Sequence, residues 1–183
     1  LARKMEIEAY SKLHEYSKLV TVANNFIVTE KVSQDDKRWA NMQAAVAYDS
    51  LADTTNALVK YRTVAVEYAT IEGSEAKYRV ASILFDQKKY EQSEREILDF
   101  LEKNSPHQYW LGKTYILWAK IFMVRNEMFQ ARYTLQNVLQ HYTIQDDGII
   151  VEVNDMLDSI TDLEMAQKAQ ESQSVELNME GTK

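Results

Sequence analysis

The sequence predicts an all-α fold: an α-α superhelix of about seven helices, stacked as helical hairpins. Two observations carry this. First, a five-residue pattern occurs three times with identical offsets: Ala45–Tyr48–Ala57–Tyr61–Val64, Ala81–Leu84–Ser93–Ile97–Phe100 and Ala119–Phe122–Ala131–Leu135–Val138. Each copy is a small residue, a large apolar one 3 later, a small one at 12, and large ones at 16 and 19. The copies start 36 and 38 residues apart. A fixed period of roughly 20–50 residues marks stacked supersecondary units that bury their faces on one another. Second, the 183 residues hold one Pro and four Gly, so chain breakers are sparse among abundant Ala, Leu, Glu, Lys and Gln. A hydrophobic content of 45% supplies a core.

Residues 1–28 read as one long helix, with Ala9, Leu13, Tyr16, Val20, Ala23 and Ile27 at helical spacing. Ala9–Leu13–Tyr16 matches Ala57–Tyr61–Val64, which makes 1–36 the second helix of a truncated preceding repeat plus a polar loop, Thr29–Asp36. Asp35 or Asp36 is the expected cap of the next helix. Three hairpins then fill 37–145: 37–51 with 54–70, 75–87 with 90–103, and 106–125 with 128–142. Gly73–Ser74 separates the first two, with Ser74 as N-cap. Ser105 and Pro106 suit an N-cap and first helical position at the third. Asp146–Asp147–Gly148 is a loop or cap. It opens a capping helix over 146–166, with Ile150, Val153, Leu157 and Ile160 on one face. The segment 167–183 is Gln-, Glu- and Ser-rich. It is expected to fray into a polar flexible tail, because it offers little surface to offset ordering entropy.

These small and large positions resemble the tetratricopeptide repeat (TPR), a helix–turn–helix unit of about 34 residues. In that family small residues let the two helices of a hairpin approach, the part matched by Ala45, Ala81 and Ala119 in the first helices and Ala57, Ser93 and Ala131 in the second. Tyr90 and Met128 stand at a turn position often aromatic in the family, and Thr54 departs from it. The consensus tryptophan and glycine of the first helix are missing, and two spacers are long. The resemblance covers about 38–145 and, more weakly, 1–28. The stretch Glu75–Phe122 is similar to the C-terminal part of large bacterial multi-repeat TPR proteins. That likeness implies a periplasmic or envelope-associated location and leaves the cytoplasm open.

The net charge of −7, with no Lys/Arg run longer than two, argues against nucleic-acid partners, which demand a basic patch. With no Cys, disulfides, thiolate metal sites and thiol nucleophiles are excluded. No apolar run approaches the ~18 residues of a membrane span. His14, His107 and His141 lack helical His partners and H-E-x-x-H spacing, and Asp146–Asp147–Gly148 lacks the alternating ligands of a calcium loop. No nucleophile elbow, phosphate loop or dinucleotide fingerprint occurs. A non-enzymatic chain without cofactor or metal is expected.

In the TPR family partners lie in the concave groove of the first helices. Carried over, that groove presents Trp39, Met42, Val46 and Asp49, then Tyr78, Ser82, Phe85 and Asp86, then Ile116, Lys120, Met123 and Val124. Met and aromatic side chains suit an interface core. Asp49 and Asp86 stand where relatives that clamp a carboxylate carry basic residues. The resemblance thus implies a scaffold for a protein or peptide. The competing expectation is a purely structural end of a longer solenoid, its apolar face covered by missing repeats or by a homodimer partner.

Overall fold

The computed structural model describes residues 2–29 and 31–180, with side chains through Gln170. Its described residues form nine helices and no strand, where the sequence suggested about seven: α1 (Ala2–Lys12), α2 (Tyr16–Ile27), α3 (Gln34–Ser50), α4 (Thr54–Ala65), α5 (Ile71–Asp86), α6 (Tyr90–Glu102), α7 (Gln108–Val124), α8 (Met128–His141) and α9 (Ile149–Glu180). The chain divides into two compact units, Leu1–Leu111 and Gly112–Lys183.

In the first unit each helix packs on its sequence neighbour from α1 to α6, and α3 also touches both α1 and α5. Against the eight helical segments read along the sequence, the added helix comes from the N-terminus. The single helix expected over 1–28 is two helices, because the chain turns at Leu13–Glu15 with His14 at φ 56°. Left-handed residues recur at His14, Ala52, Lys88 and Asn126, 38, 36 and 38 residues apart. All four turns share one hydrogen-bond scheme. The left-handed residue donates three residues back, and the next N–H donates five back: Glu15 to Tyr10, Asp53 to Tyr48, Lys89 to Leu84 and Glu127 to Phe122, at 2.8–2.9 Å. This is the Schellman ending of a helix, here made four times without glycine.

Counting from these turns gives the first hairpin its register, Ile7–Tyr10–Leu19–Ala23–Phe26. The alignment of Ala9–Leu13–Tyr16 with a second helix is therefore wrong, and Leu13 is 65% exposed. Ile7, Leu19, Ala23 and Phe26 are all buried, as are the equivalent residues of the other three hairpins. The small residues escaped notice because they have changed places. Ile7 and Leu19 are large where the other hairpins are small, and Ala23 is small where they are large. A core tolerates such an exchange when its total volume is kept. Where the pattern is regular, helices meet at the small residues. Ser93 Oγ donates to the Ala81 carbonyl at 2.8 Å, joining the two small positions of the α5/α6 hairpin.

Three helix starts differ from expectation. Ser33, not Asp35 or Asp36, caps α3 by accepting from the Asp36 N–H at 3.1 Å. Helix α5 begins at Ile71, capped by Thr70, so Gly73 and Ser74 lie inside its first turns. A Cβ on Gly73 would stand 2.0 Å from the Glu67 carbonyl oxygen. The glycine therefore admits a backbone rather than ending a helix. Ser74 is buried, its hydroxyl donating to the Tyr68 carbonyl at 2.7 Å and lying 2.6 Å from Ser105 Oγ. Helix α7 begins at Gln108, two residues beyond Pro106, and Ser105 Oγ accepts from the His107 N–H.

The second unit holds α7 from Gly112 onward, α8 and α9 around Ile116, Ala119, Ala131, Leu135, Val138, Ile149, Val153 and Ile160. Asp147 opens α9, accepting from the Ile149 N–H at 3.1 Å and from the Tyr142 hydroxyl. Helix α9 does not stop near 166; it continues to Glu180. The remainder of the expected tail, 181–183, lies outside the described residues. Among the described residues no helix is long and apolar enough to cross a membrane.

Candidate partner-binding face

The predicted groove residues fall at five repeat positions of the first helices, and the structure separates them. The position three before the small residue holds Lys4, Met42, Tyr78 and Ile116. Each of these is used by the next first helix. Lys4 pairs with Asp36 at 2.5 Å and sits 5.1 Å from the Trp39 ring centroid, both on α3. Met42, 5% exposed, is in a core cluster with Ala76, Val80 and Ile83 of α5. Tyr78 meets the Trp110 ring at 5.6 Å. Ile116, 1% exposed, clusters with Ile149 and Val153 of α9. Met42 and Ile116 are thus core residues and do not line a groove. Trp39 is likewise engaged, half-buried against the α1–α3 cluster as well as under Lys4.

In the second unit α9 lies against much of what remains. Glu152 accepts from Lys113 at 2.7 Å and from Lys120 at 3.3 Å, two cations seven residues apart on α7. Met123 packs against the same core, and Val124 is exposed at the helix end. Burial on its own would raise the Glu152 carboxyl. The hydrogen bond and charge of Lys113, followed by Lys120, outweigh it and hold the group below its ordinary value of 4.5.

In the first unit the face stays open. On α3 it shows Val46, 38% exposed, and half-buried Asp49. On α5 it shows half-buried Ser82 and Phe85, and exposed Asp86. Phe85 is held edge-on to Tyr90 at 5.4 Å. Neither Asp49 nor Asp86 has a hydrogen bond or ion pair among the described residues. Asp35, Asp36, Glu67, Glu72, Glu75, Glu96 and Asp99 of this unit are paired, whereas exposed Glu6, Glu8, Glu91 and Glu102 likewise show no hydrogen bond or ion pair. Asp49 and Asp86 both lie in the last turn of a helix that has no basic residue there. A carboxylate at that end opposes the helix dipole.

The repeat also hides one titratable group in the core. Tyr61 of α4, a core position by pattern, is 1% exposed. Burial pushes its phenol well above the ordinary 10.0; Arg79 draws it down, while Asp49 and Glu75 push it further up. Arg79 and Glu75 are paired at 3.2 Å. Only the polar tip of an otherwise perfect core residue carries this signal, and a hydrophobic pattern does not register it.

The histidines are engaged locally. His107 Nε2–H donates to the Ala69 carbonyl at 3.0 Å, His141 Nδ1–H to the Asn137 carbonyl at 2.9 Å, and His14 Nδ1 lies 2.8 Å from the Tyr16 hydroxyl. Among the described residues no three His, Asp or Glu side chains converge to hold a metal ion. No protein-family model, curated protein or solved structure matches this chain.

Proposed function

We propose that this chain is a non-enzymatic, TPR-like scaffold that binds a protein or peptide along the first-helix face of its first unit. The observation that carries the reading is the contrast in occupancy between different positions of the same first helices. Val46, Asp49, Ser82, Phe85 and Asp86 remain accessible where successive first helices touch, while Met42, Tyr78 and Ile116 are spent on packing. Half-exposed apolar side chains beside unpaired carboxylates offer both area and orientation to a partner. The four identical turns and the recurring buried positions support the repeat architecture on which this face depends.

A photo-crosslinking residue placed at Val46 in the protein within its host cell tests the reading, with Val59, exposed on the second helix α4, as the control. Adducts with another protein from position 46 and none from 59, abolished by Ser82→Arg, are expected. Adducts from 59 alone move the binding surface to the second helices. Adducts between two copies of this chain from position 46 favour instead the purely structural, self-associating reading.

A further inference from the structure

We infer that the outward face of α8 is a self-association surface: Phe129 and Tyr133 of one copy pack against Gln136 and Gln140 of a second copy of this chain, in an antiparallel α8–α8 pair about a two-fold axis. This surface is independent of the first-unit face.

Phe129 is 77% exposed and Tyr133 61%, one turn apart on the side of α8 away from its buried Ala131, Leu135 and Val138. The repeat shows that the fold needs nothing large there. Counted from the buried second-helix positions Leu19, Ala57, Ser93 and Ala131, the same two sites hold Ser17 and Thr21 in α2, Thr55 and Val59 in α4, and Glu91 and Arg95 in α6. All six are exposed. Three hairpins are thus built without aromatic rings at these sites, and only α8 presents them to solvent. Aromatic residues on a surface low in charge mark the core of an interface.

The charge pattern and the order of residues along the helix select a second copy as the occupant. Between Met128 and Gln140 the sequence has one charged residue, Arg132, where α6 carries six between Glu91 and Glu102. Arg132 is already held by Glu164 and Thr161 of α9. A strongly charged partner of either sign would therefore find no free counter-charge on this helix, whereas two copies meet here without opposing carboxylates. The strip is also self-complementary. Its rings lie in the N-terminal half of α8 and exposed Gln136 and Gln140 in the C-terminal half. Antiparallel pairing sets Phe129 against Gln140 and Tyr133 against Gln136, twice over, as a two-fold axis requires. Glutamine stems cover the rings, and the opposed helix dipoles attract. A helix of 14 residues is about 21 Å long. One such helix per copy makes a small interface, so the dimer is expected to be weak, roughly micromolar or weaker.

Sedimentation velocity of the whole chain over rising concentration tests this. A monomer–dimer equilibrium is expected. It should tighten with added salt, because each copy carries −7 and screening weakens their repulsion. Phe129→Ser and Tyr133→Ser should each raise the dissociation constant about tenfold or more, as for aromatic residues at the centre of an interface. Val59→Ser, which makes a similar change on the exposed side of α4, should leave it unchanged. Melting temperatures of the α8 variants should stay at that of the wild type, as for surface positions. The chain has no cysteine, so Gln136→Cys introduces the single thiol. A short bismaleimide should then link two copies, and adding Phe129→Ser should suppress the link. Val59→Cys should give none. A chain that stays monomeric at every concentration overturns the inference. So does a dimer unaffected by both α8 variants, or one linked equally from position 59. A clear fall in melting temperature for Phe129→Ser or Tyr133→Ser would assign that ring to the fold and overturn its role here.

Discussion

Helices α7 and α3 hold the same place in their hairpins, yet they meet opposite fates. On α7 the face is basic. Lys113 and Lys120 flank Ile116, and α9 answers with Glu152 between the cations and Ile149 and Val153 over the isoleucine. On α3 and α5 the equivalent face beyond the packing position is acidic and carries no such helix. A first-helix face in this fold can therefore be satisfied by a helix that matches it in both shape and charge. The second unit supplies that helix from its own chain; the first leaves the counterpart to be found.

The most forceful way to break this contrast is to cut into each face equally. Ile116→Ala should cost about 2–5 kcal/mol, because it opens a cavity beneath α9. Val46→Ala should stay within about 0.5 kcal/mol, as expected for a surface position. Comparable losses by chemical denaturation would mean the α3 face is covered after all.

Next is Glu152→Gln, expected to destabilise by roughly 0.5–1 kcal/mol near neutral pH, since both lysines are partly exposed. The sign of its pH dependence follows from the lowered carboxyl. The ionised group stabilises the fold above its unfolded value, and the contribution disappears as pH falls through the lower folded value. The wild type should therefore lose stability below about pH 4.5, where Glu152→Gln stays comparatively flat. Identical slopes would detach Glu152 from the lysines.

The reverse sign is expected on the open face. Asp49→Asn and Asp86→Asn should each stabilise the chain by ~0.3–1 kcal/mol, relieving a carboxylate at the negative end of a helix. A loss instead would reveal a structural partner and remove the argument for a binding role. The smallest effect sharpens the repeat itself. Ala52→Gly should gain about 0.5–1 kcal/mol by relieving a left-handed alanine, and Asn126→Gly in the second unit distinctly less, since Asn tolerates that conformation. Equal responses would show that the two turns are not built alike.

Ala45, Ala81 and Ala119, with the small residues twelve further on, announced three hairpins because each is a small residue at a buried position, repeated at one spacing. The first hairpin was invisible for a related reason. Ile7, Leu19 and Ala23 fill the same volume in a different order, and nothing along the chain marks His14 as a left-handed turn. Gly73 misled in the opposite sense, as a breaker that proved to be a point of backbone approach. On the candidate face, Val46, Asp49, Ser82, Phe85 and Asp86 were legible from repeat position. Met42 and Ile116, expected on the groove, are core residues, because which side of a first helix its successor covers depends on how the hairpins stack.

By itself, then, the sequence determined the helical class, the period near 37 residues and the small-residue contacts within hairpins. These are local consequences of spacing and side-chain size, repeated until the pattern is unmistakable. Tertiary structure alone decided which carboxylates found partners and that Glu152 reaches two lysines. Pairing and burial are properties of distance between segments remote in sequence, and no periodicity records them.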